Sequence, residues 1–291
     1  MAVRSLIVAL LCGLTWMPGS TATAAPAPSA CGDTLDPAET AEIAALSTPR
    51  PESGATLARL EDAVARHHRI TEILVDNQDR RGLFALGLDT VEYAAVLPLQ
   101  RDPAAFADRE YGHRLSLDLL DRFLATVHAE FTGAATEPQW AHYFALAADC
   151  GVPGTRVAMA GYNAHITVDL AHTVAATGSR PENAPDYFTI VDAIALNGAL
   201  IVDRTRAAYD VDLGPLWRFY FVGEGLDAVL GRGVATTQLL RAADLGYNVV
   251  VFGNGLALQD PALAPGVEAE ITALWWSTES AFDVLADLGV I

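Results

Sequence analysis

The chain has 291 residues, a formal net charge of -18 and 52% hydrophobic residues, and its 18 basic residues are all arginine. The absence of lysine excludes Schiff-base chemistry and a phosphate-loop lysine. The acidic balance argues against binding a nucleic-acid backbone and against adsorption to anionic membranes, both of which need basic patches.

Residues 1–24 read as a secretory signal peptide. Arg4 precedes the apolar run SLIVALLCGLTWM, and Ala22-Thr23-Ala24 supplies small residues for cleavage near Ala24. That run is shorter than the roughly 20 residues a spanning helix needs. The expected product is a secreted chain, with 25–54 as leader and linker and 55–291 as one helical domain. Cleavage removes Cys12 and leaves Cys31 and Cys150. One disulfide is the simplest outcome in an oxidising compartment, with two free thiols as the alternative. Later apolar stretches are interrupted by polar residues such as Asp192 and Asn197, so no transmembrane segment is expected.

Helical periodicity runs through nearly all of the remainder. ATLARLEDAVARHHRITEILVDN places Leu57, Leu60, Val64, Ile70 and Leu74 at helical spacing after the breaker-rich STPRPESG. DRRGLFALGLDTVEYAAVLPLQ should end at Pro98, and Asp102-Pro103 should open a third helix that closes at Gly133. TEPQWAHYFALAADC follows, and after the break GVPG comes TRVAMAGYNAHITVDLAHTVAATG. One helix is expected from just past Pro185 through Asp210. The shorter GPLWRFYFVGEGLDAVLGRG comes next, then TTQLLRAADLGYNVVVFGNGLAL, whose β-branched run reads as buried helix between helical flanks, and a last helix from Pro265. The expected fold is an all-α, single-domain bundle of about eight helices.

GYNAHITVDLAH carries the candidate chemistry. With His165 as origin and 100° per residue, Asp169 lies at about +40° and His172 at about -20°, one narrow stripe. Apolar residues cover most of the remaining circumference, so the stripe should face other helices. Imidazole and carboxylate one turn apart can share a metal ion, or the carboxylate can orient the imidazole as a base. Packing alone, with the polar groups tying helices together, is the rival explanation. His165, Asp169 and His172 are the candidate catalytic residues, and the same three with Asp192 are the candidate metal ligands. Asp192 and Asp203, eleven apart, would share a stripe of one helix, with Asn163 and Asn197 as buried donors nearby.

On the third helix, Glu110, His113, Asp121 and His128 fall near one line, opposite Leu115, Leu119, Phe123 and Val127, and read as the solvated face. Glu110-Tyr111-Gly112-His113 nonetheless has the Glu-x-x-His form of di-iron bundles. His68 and Glu72 are spaced for a metal but read as surface, and His142 as a satisfied core histidine. No Gly-x-Ser-x-Gly, phosphate loop or Cys-x-x-Cys occurs.

From roughly residue 55 to 230 the chain resembles the domain of unknown function 5995, a helical family. The resemblance rests on Gly161, then Asn163-Ala164-His165-Ile166, then Asp169-Leu170, with Phe106-Ala107-Asp108 and the Trp140 segment. It implies an all-helical fold and brings no activity. The His165/Asp169 pair is also similar to the His-x-x-x-Asp helix of zinc-dependent phospholipases C and related nucleases. Ala175 stands where their next histidine falls, so a full three-zinc site is not expected. The functional expectation is a metal-dependent hydrolase using zinc, manganese or iron on a small-molecule or lipid-like ester or phosphoester. A non-enzymatic helical binding module and a di-iron protein using Glu110, His113 and Asp169 are the alternatives.

Overall fold

The computed structural model describes residues 31–214 and 234–289, so the expected signal peptide and all but the first residue of the expected GPLWRFYFVGEGLDAVLGRG element lie outside the described residues. Among the described residues there are ten helices and no strand. They are α1 (Pro37–Ser47), α2 (Thr56–Asp76), α3 (Gly82–Arg101), α4 (Arg109–Thr132), α5 (Pro138–Ala148), α6 (154–176), α7 (Ala184–Leu196), α8 (Gly198–Tyr209), α9 (Val234–Leu258) and α10 (Ala264–Asp287). The all-α, single-domain expectation stands.

Where the helices begin and end follows local chemistry. Helix α1 opens with a reciprocal capping box: Asp36 accepts from the Glu39 backbone, and the Glu39 carboxylate accepts from the Asp36 backbone N–H. It lies in the stretch expected to be leader, yet Ile43 is fully buried in the main core. Just ahead of it, Cys31 is disulfide-bonded to Cys150 beyond α5, with Cα atoms 5.3 Å apart. Helix α4 is capped by Asp108, not Asp102, and stops at Gly133, whose φ of 70° suits a residue without a Cβ. Asp102 instead closes α3 and accepts from the Ala104 N–H.

Two expected boundaries shift. Helix α3 runs through Pro98 because a π turn, Glu92–Val96, lies immediately upstream. Bonding of i to i+5 there widens the helix and accommodates the missing proline N–H. The single helix expected over Asp192 and Asp203 breaks at Asn197, where α7 and α8 meet at a bend of 46°. The two aspartates therefore lie on separate helices.

Helices α3 and α6 form the centre. Helix α3 packs against α2, α6 and α8, while α6 packs against α3, α5, α9 and α10. Helix α3 is apolar and long enough to cross a membrane by composition alone, but it is mostly buried within the bundle. Its crossing with α6 is close. A Cβ on Gly161 would lie 2.5 Å from the Phe84 Cβ, and one on Gly87 would overlap the Tyr162 hydroxyl. One core joins α1 to α6. A second lies between the start of α4, the C-terminal half of α6, and α7, α9 and α10. The run around Val249 and Val250 is helical as expected, though both valines are exposed.

Candidate metal centre

Helix α2 buries the stripe Leu60, Val64, His67, Thr71 and Leu74, spaced by four and three. His67 occupies a core position on that stripe and is fully buried. Across from it, α3 carries Asp89 and Glu92 three residues apart, inside a helix that is otherwise uncharged from Gly82 to Gln100. Both carboxylates are buried, and Glu92 opens the π turn. Ligand-capable atoms of His67, Asp89 and Glu92 all lie within 4.8 Å of one another.

Each carboxylate is held by a histidine. His67 Nδ1 lies 2.7 Å from Glu92 Oε2, while its Nε2 is buried without a hydrogen-bond partner. His68 Nδ1 lies 3.0 and 3.1 Å from the two oxygens of Asp89. The His68 ring is half-exposed, rests on Tyr93 at 4.9 Å, and has Glu72 at 3.6 Å on its other nitrogen. Among the described residues, Asp89 and Glu92 make no ion pair with arginine.

The electrostatics match this enclosure. Burial raises the Glu92 carboxyl above its ordinary range; His67 opposes the rise, Asp89 adds to it, and His165 also opposes it. For His67, burial acts downward, but Glu92 and then Asp89 outweigh it, and its pKa is raised. Two carboxylates and an imidazole away from water suit one divalent cation, which would replace mutual repulsion with ligation.

The predicted histidine–aspartate stripe borders this group. Residues Ala164–Asp169 form a second π turn, in α6, so His165 and Asp169 do not follow the spacing of a regular α-helix. His165 is buried against Phe84 at 5.1 Å, and its Nδ1 has no hydrogen-bond partner and lies 3.8 Å from Asp169 Oδ2. Asp169 accepts from the Trp140 indole N–H at 2.9 Å and from Gln139 Nε2 at 3.3 Å. Phe84, Phe123 and Trp140 pack against one another at 5.0 to 5.4 Å between ring centroids, and His67 packs on Phe123 at 5.4 Å.

Other expected residues are not brought here. His172 meets Glu268 of α10 at 3.1 Å, at a half-exposed position. Asp192, on α7, is outside the three-residue group. Glu110 accepts from Thr56, and His113, buried rather than solvated, donates to the Gln100 carbonyl. The Glu110/His113/Asp169 combination is therefore not assembled. Asn163 is a buried donor, but to the Trp275 carbonyl and Glu279, whereas half-buried Asn197 bonds its own helix at Ala193. His142 is satisfied by Glu279 at 3.0 Å. The sequence reading missed His67, Asp89 and Glu92. Their signals were a histidine in register with the α2 core stripe and two acids within an apolar helix.

The fold and centre define an all-helical protein with a buried histidine–carboxylate group between α2 and α3, one of its acids opening the π turn of α3. The chain belongs to the family of unknown function DUF5995, which it matches over residues 60–211. That range contains His67, Asp89, Glu92, His165 and Asp169. No curated protein and no solved structure matches the chain.

Proposed function

We propose that this chain is an exported, metal-dependent hydrolase acting on a phosphoester or ester of a small or lipid-like molecule. The observation that carries the reading is the buried trio His67, Asp89 and Glu92, with ligand-capable atoms within 4.8 Å and, among the described residues, no arginine to balance the acids. His67, Asp89 and Glu92 would hold the ion, and His68 would orient Asp89 from the half-exposed side. A zinc, manganese or iron ion there supplies Lewis-acid activation of water. Export is supported by the Cys31–Cys150 disulfide, which suits an oxidising compartment.

Elemental analysis of the signal-cleaved protein tests the metal, and turnover of phosphodiester and carboxylester substrates by the loaded protein tests the hydrolase. The expected result is a stoichiometric divalent ion, lost in His67→Ala and Glu92→Gln, with ester turnover lost alongside. Failure to take up zinc, manganese or iron on reconstitution refutes the metal reading. Metal without turnover refutes the hydrolase reading alone.

The rival is a polar network that only specifies helix packing. It is favoured by the 2.7 Å His67–Glu92 contact and by two surface clefts of about 350 Å³ that include none of the trio. It predicts no metal uptake.

A further inference from the structure

His165 and Asp169 form a polar pair that the trio does not use. Asp169 is almost wholly buried, and its partners Trp140 and Gln139 are neutral donors. They orient the carboxylate but bring no positive charge, and a buried carboxylate ordinarily has a cation near it. Opposite it stands His165 Nδ1, also buried and without a hydrogen-bond partner. The 3.8 Å between Nδ1 and Asp169 Oδ2 is too long for a hydrogen bond. It suits two ligands of one ion, since atoms each about 2.0–2.2 Å from zinc lie up to about 4 Å apart. Neutral N–H donors behind a ligating carboxylate are the usual support for such a ligand.

Helix geometry contributes as well. The π turn contains both residues, and π turns recur where a helix carries a functional side chain. His165 packs on Phe84 and His67 on Phe123, and those two rings meet at 5.0 Å, so the pair and the trio line one aromatic cluster.

We propose that His165 and Asp169 bind a second divalent cation, so that the chain holds two ions on either side of its aromatic cluster. The proposal rests on the metal-binding reading above and extends it to the neighbouring pair.

Zinc stoichiometry tests it directly. The full signal-cleaved protein is dialysed against excess zinc chloride, then against zinc-free buffer, and its zinc is counted by elemental analysis. Two zinc ions per chain are expected in the wild type, and one in each of His165→Asn, Asp169→Asn and Glu92→Gln. His165→Asn removes no hydrogen bond, so it is the safer variant for folding, and the wild-type count is decisive by itself. One zinc per chain in the wild type, lost in Glu92→Gln and kept in His165→Asn, overturns the second site and leaves the first standing. Two zinc ions that both persist in His165→Asn also overturn it. No zinc in the wild type overturns the second site, and failure to take up manganese or iron as well removes the first.

Discussion

Trp140→Phe is the most informative single perturbation. Trp140 is fully buried and donates its indole N–H to Asp169 at 2.9 Å while packing on Phe84 and Phe123. Phenylalanine keeps the aromatic contact and loses both the donor and the fused ring. A hydrogen bond to a charged acceptor contributes about 1.5–3 kcal/mol. The lost ring atoms add about 1.5 kcal/mol, taking about 0.8 kcal/mol for each of two buried carbon groups. The expected total is about 3–4.5 kcal/mol, a large part of the about 5–15 kcal/mol by which a domain is stable. Urea unfolding of the chelator-treated protein measures it. A double-mutant cycle with Asp169→Asn, which keeps the side-chain volume and so opens no shared cavity, reports the bond to the carboxylate. A coupling energy above about 1 kcal/mol is expected. Coupling below about 0.5 kcal/mol would refute the claim that Trp140 holds Asp169 rather than merely filling space.

Three further outcomes follow from the same geometry. In the metal-free protein both His67 and Glu92 have raised pKa values, so the folded state binds their protons more tightly than the unfolded state. Their contribution is complete below the unfolded pKa values and drains as pH rises through the folded ones. Melting temperature should thus fall as pH rises above the ordinary glutamate and histidine values of 4.5 and 6.5, and Glu92→Gln should flatten that slope; an unchanged slope counts against the coupling. Gly161→Ala sets a Cβ 2.5 Å from the Phe84 Cβ and should destabilise by about 1–3 kcal/mol, read by thermal melting; a neutral result would mean that α3 and α6 can separate freely. Tyr162→Phe removes a buried hydroxyl with no hydrogen-bond partner, so it should be neutral or stabilising. A loss above about 1 kcal/mol in urea unfolding would show that this hydroxyl has a partner after all.

Part of the centre was legible from local pattern. His165 and Asp169 were found because an α-helix brings residues four apart to one face, and both are buried as that stripe implies. The same logic failed at His172, whose partner Glu268 is 96 residues away and has no trace in local spacing. It failed also on α4. Charged and apolar residues divide that helix into two sides, but His113 is buried where the end of α3 offers the Gln100 carbonyl. His67 was passed over because a histidine in an apolar stripe has no local feature separating a ligand from a core residue.

Sequence alone determined the helical class, the pairing of Cys31 with Cys150, and the buried stripe around His165. Each depends on backbone hydrogen bonding and side-chain periodicity within a few residues, or on simple counting. Tertiary structure alone decided that His67 meets Glu92 across two helices, that the helix expected over Asp192 and Asp203 breaks at Asn197, and that π turns lie at Glu92–Val96 and Ala164–Asp169. The physical reason is that periodicity fixes which residues share a face but not which neighbour that face meets. Here His67 meets Glu92 because α2 packs on α3, while Gly87 and Gly161 let α6 approach the other side of α3 closely.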